Sequence, residues 1–176
     1  MDPSDNLVLA AAEYLNAGLS IIALSGKLPN TKWHPHGLND PIFGILDSRE
    51  DVAMLVRVFE EDSRTTGIGI VIPDHMVVVD IDGDEGAVGW MRCAEAKGFN
   101  FIPETPVAKT GRGMHIYYMT PIILPSAPIA EKLDRKGPGG YVVAPPSVHT
   151  SGVTYRWLVP LVVNGAVRGV EWFPYG

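Results

Sequence analysis

Residues 76–86 read MVVVDIDGDEG, an apolar run that ends in acids and glycines. A run of apolar, mostly β-branched residues leads into Asp80-Ile81-Asp82, which predicts a buried strand over Met76–Asp82. Side chains alternate along a strand, so Asp80 and Asp82 share one face, about 6.6 Å apart along it. Two like charges at the end of a buried strand are costly unless something positive lies between them. A hard divalent cation with oxygen ligands meets that need. A strand that simply leaves the core through a turn at Asp82-Gly83 accounts for the same residues.

Working outward, Gly67–Ile72 (GIGIVI) predicts a preceding strand, joined to this one by a tight turn at Pro73-Asp74. Asp84–Lys97 is helical by period and Gly98 ends it; Asp84 and Glu85 suit the positive end of its dipole. Nearer the start, Ser4-Asp5 is placed to cap a helix through Leu7, Leu9, Ala12 and Tyr14, with Gly18 at its C-terminal stop. Leu19–Leu24 predicts a short buried strand, and Gly26 to Pro41 a loop rich in Pro, Gly, Asn and His. Ser48 with Asp51 resembles a capping box opening a second helix through Val52, Leu55, Val56 and Phe59. From Ile102 onward the pattern is short strands between Gly/Pro turns: Val107–Lys109, Met114–Met119, Tyr141–Ala144, Val153–Leu158 and Leu161–Val163. Helices early, strands late and no repeats predict one α+β domain over residues 1–176.

The 176 residues are 46% hydrophobic, enough for a sizeable core, which excludes a disordered chain. The formal charge of −6 argues against a protein that binds nucleic acid through bulk positive charge. That charge is uneven: residues 1–100 hold 7 basic and 16 acidic side chains, and residues 101–176 hold 7 basic and 4 acidic. The C-terminal part is therefore suited to phosphates and the middle to metal. The single cysteine, Cys93, excludes an intramolecular disulfide and a Cys-rich zinc site. No leader opens the chain and no apolar run approaches a membrane span, so a soluble cytoplasmic protein is expected.

Three further segments carry chemistry. Lys109-Thr110-Gly111-Arg112-Gly113-Met114-His115 is a Gly-rich turn with a basic side chain, entering the strand Ile116-Tyr117-Tyr118. Such a turn presents backbone N–H groups and positive charge to phosphate, although an ordinary hairpin with a solvated Arg and a structural His fits it too. It is not a P-loop, since G-x-x-x-x-G-K-[ST] is missing and a strand follows. Leu133-Asp134-Arg135-Lys136 precedes Gly137-Pro138-Gly139-Gly140-Tyr141 and a stop at Pro145-Pro146-Ser147. Asp134 and Arg135 alone would pass for a surface pair. Lys27, after an apolar strand, is placed to reach a site at the strand ends or to lie solvated in its loop.

Taken together, the acid-x-acid strand end, the small-x-His strand start and a hydrophobic-Asp before a Gly-Gly-Tyr strand resemble the archaeo-eukaryotic primase superfamily. Within it the chain is most similar to the bifunctional DNA primase/polymerase (prim-pol) domain of plasmid, phage and other mobile-element replication proteins. The resemblance runs from about Val8 to Trp157, strongest in VVVDIDGDEG (77–86), KTGRGMHIYY (109–118) and LDRKGPGGYVVAPPSVHTSGVTYRW (133–157). It implies an N-terminal αβ unit packed with an RRM-like mixed or antiparallel sheet, the active site lying in the cleft between them. It also implies that Asp80, Asp82 and Asp134 are the catalytic acids, holding two Mg²⁺ or Mn²⁺ ions about 3.5–4 Å apart. His115 matches the histidine that contacts the incoming nucleotide's phosphates, and Gly113 the small residue two before it. Arg112 stands where Ser or Gly is more usual; with Lys27 and Lys136 it is a candidate phosphate contact.

The implied function is template-dependent nucleotidyl transfer from (d)NTPs to a 3′-hydroxyl, with single-stranded DNA as template. A helicase or other replication protein is the implied partner, in cis or in trans; no Walker motif is present in this chain. No zinc-binding insertion is expected with one cysteine. Two alternatives stand beside this reading. A metal-dependent nuclease would also use an acid cluster near Lys136. A non-catalytic nucleotide-binding replication module would keep the same side chains without turnover.

Overall fold

The computed structural model describes residues 6–101 and 104–174. Helix α1 (Leu7–Asn16) starts where the Asn6 side chain accepts the Leu9 N–H. The cap expected at Ser4-Asp5 lies outside the described residues. Strand β1 (Ile21–Ser25) turns back through Gly26-Lys27 into β2 (Leu28–Pro29). Gly26, at φ 65°, supplies the left-handed conformation that a two-residue hairpin loop requires. The segment expected as loop from Gly26 to Pro41 therefore contains a hairpin arm, and also a 3₁₀ turn at Gly37–Asn39. Helix α2 (Arg49–Val56) begins at Ser48, whose hydroxyl accepts the Asp51 N–H as the capping pattern predicts. It runs on through a π turn, Arg57–Glu61, that buries Val58 and Phe59.

Strands β3 (Gly67–Val71) and β4 (Met76–Ile81) follow, then helix α3 (Gly83–Lys97), which Gly98 closes at φ 75°. Next come β5 (Val107–Lys109), β6 (Met114–Met119), β7 (Ala127–Ala130), β8 (Leu133–Lys136) and β9 (Tyr141–Ala144). The described chain finishes with β10 (Arg156–Val159), β11 (Val162–Val163), β12 (Ala166–Val167) and β13 (Glu171–Trp172). One antiparallel sheet runs in the order β2-β1-β3-β9. A second runs β10-β5-β6-β4-β8-β7, also antiparallel, with β13 added parallel to β6; β11 and β12 form a small ribbon. The chain is thus a mixed α+β fold with few helices and antiparallel sheets. Among the described residues no helix is long and apolar enough to cross a membrane.

The turn at Pro73-Asp74 does not make a hairpin. It hands the chain from one sheet to the other, so β3 and β4, neighbours in sequence, never pair. Packing explains why. β3 carries Gly67 and Gly69, and a Cβ at these positions would lie 2.6 Å from the Ser147 hydroxyl and 2.8 Å from the Ile22 side chain. Those glycines fit β3 between β1 and β9. β4 is apolar on both faces and occupies the middle of the second sheet. Val77, Val79 and Ile81 pack with Trp90 of α3, while Val78 joins a cluster with Leu15, Ile21, Leu55, Ile68 and Tyr117. That cluster draws on both sheets and on α1 and α2.

The β7–β8 hairpin, β12 and β13 were not expected from the sequence. In β8, LDRK offers one apolar residue, Leu133, which is fully buried against α3's side of the sheet. Charge masks the period. The strand expected from Val153 begins instead at Arg156, because residues 148–154 close a tight loop in which His149 donates to the Val153 carbonyl.

Candidate active site

The site is built on strand register. β6, β4 and β8 lie side by side, and His115, Asp80 and Asp134 stand directly opposite one another across them. Partners opposite each other in an antiparallel pair point to the same face. Asp80 shares that face with Val78, whose neighbours are Tyr117 and Lys136. The opposite face of β4 is covered by α3. Thus this polar row opens away from the helix.

His115 is buried, with its Nε2 3.4 Å from Asp80 Oδ1. Its Nδ1 is buried with no hydrogen-bond partner among the described residues. Burial is the largest single influence on the Asp80 carboxyl and pushes it up. The hydrogen bond and charge of His115, with Lys136 and Lys27 nearby, outweigh burial and hold it below the usual carboxylate range. Asp80 is therefore kept ionised. Lys136 Nζ lies 3.8 Å from Asp134 Oδ2.

Asp82 is not on the strand. β4 ends at Ile81, and Asp82 is the N-cap residue of α3, although its side chain makes no cap bond. It turns instead to Arg112, whose Nη2 sits 2.9 Å from each carboxylate oxygen. The Gly-rich turn brings Arg112 there. Thr110 and Gly113 bond each other reciprocally, and a Cβ on Gly113 would lie 1.8 Å from the Ile81 carbonyl oxygen. The glycine lets the turn press against the exit of β4. Gly113 itself is not among the residues that line the cleft.

A cleft of about 260 Å³ opens above the row. Lys27, Asp80, Asp82, Arg112, His115 and Lys136 line it, so six of the eight residues expected at the site are gathered there. Lys27 comes from the tip of the β1–β2 hairpin, where its carbonyl accepts the Tyr141 hydroxyl. Asp134 lies opposite Asp80 but at the margin, its side chain 46% exposed, beside a shallow depression it shares with Lys136 and Arg135. Among the described residues no three His, Cys, Asp or Glu side chains are grouped as a metal-holding cluster.

The cleft also holds residues that sequence reasoning did not single out: Tyr141, His149 and Tyr155. Tyr155 is buried, with ring centroids 6.1 Å from both His115 and His149. Burial, then the charge of Asp80, push its phenol above the usual range. In the sequence Tyr141 and Tyr155 read as residues of short apolar strands, and His149 falls in the connection between them. Only the pairing of β9 with β3 and the 148–154 loop bring them to the cleft.

The Prim-Pol family model, described as bifunctional DNA primase/polymerase, N-terminal, matches residues 11–167, nearly the whole described chain. No curated protein matches the sequence. The chain belongs to the bifunctional DNA primase/polymerase family. Both decisive stretches, the acidic exit of β4 and the turn before His115, fall inside that match.

Proposed function

We propose that this cleft is the nucleotidyl-transfer site of a DNA primase/polymerase, extending or initiating strands on single-stranded DNA from (d)NTPs. The observation that carries the reading is the in-register row His115–Asp80–Asp134 below a rim of Lys27, Arg112 and Lys136. The two-sheet arrangement, with this cleft, is read as the core of the archaeo-eukaryotic primase superfamily and as a single catalytic domain.

The donor set suits a hard divalent cation. Asp80 is held as a carboxylate, Asp134 stands beside it, and among the described residues the Asp82 carboxylate is engaged by Arg112, whose side chain is 67% exposed. A surface ion pair of that kind exchanges at little cost. Asp80, Asp82 and Asp134 would therefore hold Mg²⁺ or Mn²⁺. Such ions supply activation of the attacking hydroxyl and charge neutralisation on the leaving pyrophosphate. The chain's own groups position the substrate. Lys27, Arg112 and Lys136 bind the triphosphate from the rim. His115, fixed between Asp80 and the Tyr155 ring, contributes its imidazole to the phosphate-binding floor of the cleft. The buried strand beneath them keeps these groups from rearranging during the reaction. A mobile-element replicon as the source and a helicase as partner belong to the same proposal.

The test is primer extension beside de novo priming, each with dNTPs and NTPs separately and with Mn²⁺. Extension or priming is expected from the wild type and loss of at least about a hundredfold from Asp80→Asn with Asp82→Asn. Unchanged product in that double variant overturns the assignment. Nucleotide-independent degradation of labelled DNA would mark a nuclease, and nucleotide binding with no product under either metal a binding module.

A further inference from the structure

We infer that His149 is a second histidine donor of the cleft, its Nε2–H binding the phosphate chain of the nucleotide. The inference rests on the proposed reading of the cleft as a nucleotide site and adds a residue to it.

The tautomer follows from the hydrogen bonds. Ser151 donates its backbone N–H to His149 Nδ1 at 3.0 Å, and the Ser151 hydroxyl lies 2.8 Å from the same nitrogen. A backbone N–H only donates, so Nδ1 accepts and the neutral ring carries its proton on Nε2. No partner for Nε2 occurs among the described residues, whereas the ring lines the cleft. That leaves an N–H donor with no partner among the described residues on a ring that lines the site.

The ring's place is built, not incidental. The loop 148–154 is closed by the Val148–Thr154 bridge and by the bond from His149 N–H to the Val153 carbonyl, 2.7 Å. Tyr155 flanks the ring, tilted by 32°, and itself flanks His115. On the remaining side is Gly111, where a Cβ would lie 2.5 Å from the imidazole. The first glycine of the Gly-Arg-Gly turn therefore clears space for His149, as the second lets the turn meet β4. Gly111 is also the neighbour of Arg112, and Arg112, Lys27 and Lys136 line the same cleft as His149. A donor among Arg112, Lys27 and Lys136 meets the anionic part of a nucleotide rather than its base.

The experiment is calorimetric binding of Mg²⁺-dATP and of Mg²⁺-tripolyphosphate, the phosphate chain alone, to wild type, His149→Ala, His149→Asn and His149→Gln. Gln carries its amide nitrogen near the position of Nε2, and Asn near that of Nδ1. His149→Ala and His149→Asn are expected to weaken both ligands about tenfold, the effect of one hydrogen bond to a charged group. His149→Gln is expected to restore most of the affinity. In extension assays the loss should fall on KM for the nucleotide with kcat retained. If the Ala variant fails to fold by its thermal melt, the Gln and Asn pair still decides. Equal binding by all four proteins overturns the inference, as does weakened dATP binding with tripolyphosphate unaffected. A wild type that binds neither ligand overturns the reading of the cleft itself.

Discussion

Asp82 and Arg112 form an ion pair in which both carboxylate oxygens are engaged, at the exit of a strand whose other acid, Asp80, is bonded to His115. On the proposed reading this pair competes with a cation for Asp82. Arg112→Ala is then expected to tighten Mn²⁺ binding by up to about fivefold in the absence of nucleotide, since a surface pair is worth ~0.2–1 kcal/mol. The same variant should weaken binding of the nucleotide, for which Arg112 is a rim cation. Paramagnetic resonance of free Mn²⁺ measures the first effect and calorimetry the second. Mn²⁺ affinity unchanged in the variant would show that the guanidinium does not contest the site. Asp80, Asp82 and His115 were legible in the sequence because their signals are local: acids ending an apolar run, and a His after a Gly-rich turn. Tyr155 and His149 were not, because nothing within a few residues distinguishes a cleft aromatic from a core one. Their position is decided by partners far away in the chain.

Helix α3 and strand β8 show the same division among elements. The helix was readable from its period, its first-turn acids and Gly98; the strand was not, since Asp134, Arg135 and Lys136 hide its alternation. What makes LDRK a strand is the vacant edge of β4, a property of the sheet. The cap at Asn6 is a smaller case: its side chain accepts the Leu9 N–H, a role Asn fills as readily as Ser or Asp. Two glycines of α3 give a matched prediction. At Gly86 a Cβ would lie 2.2 Å from the Lys132 carbonyl oxygen, so Gly86→Ala must push the β7–β8 turn away and is expected to cost about 1–3 kcal/mol. At Gly89 the nearest atom would be a Leu133 methyl at 3.6 Å, an ordinary contact. Gly89→Ala is therefore expected to stabilise by up to about 1 kcal/mol through helix propensity. Urea unfolding of both variants tests the pair, and equal effects would contradict the packing described for this helix.

Over the whole molecule, the formal charge of −6 coexists with a cleft in which Lys27, Arg112 and Lys136 face Asp80 and Asp82. Such a protein gathers phosphate locally without attracting nucleic acid generally. Isolated chain is expected to bind single-stranded DNA weakly, with Kd in the region of ~10⁻⁴–10⁻⁶ M at physiological salt, and more weakly still as salt rises. Fluorescence anisotropy across a salt series measures this; tight, salt-insensitive binding without metal or nucleotide would contradict it. The row His115–Asp80–Asp134 has one more consequence, for folding fidelity. A strand that slips by one residue turns every side chain to the opposite face. Were β8 to slip against β4, Arg135 would replace Asp134 beside Asp80, and the site would lose an acid and gain a cation. The same slip would expel Leu133, now fully buried, from the pocket under α3. A misregistered molecule is thus penalised by the hydrophobic effect before its chemistry is ever tested, and a single leucine acts as the proofreader of an acidic site it never touches.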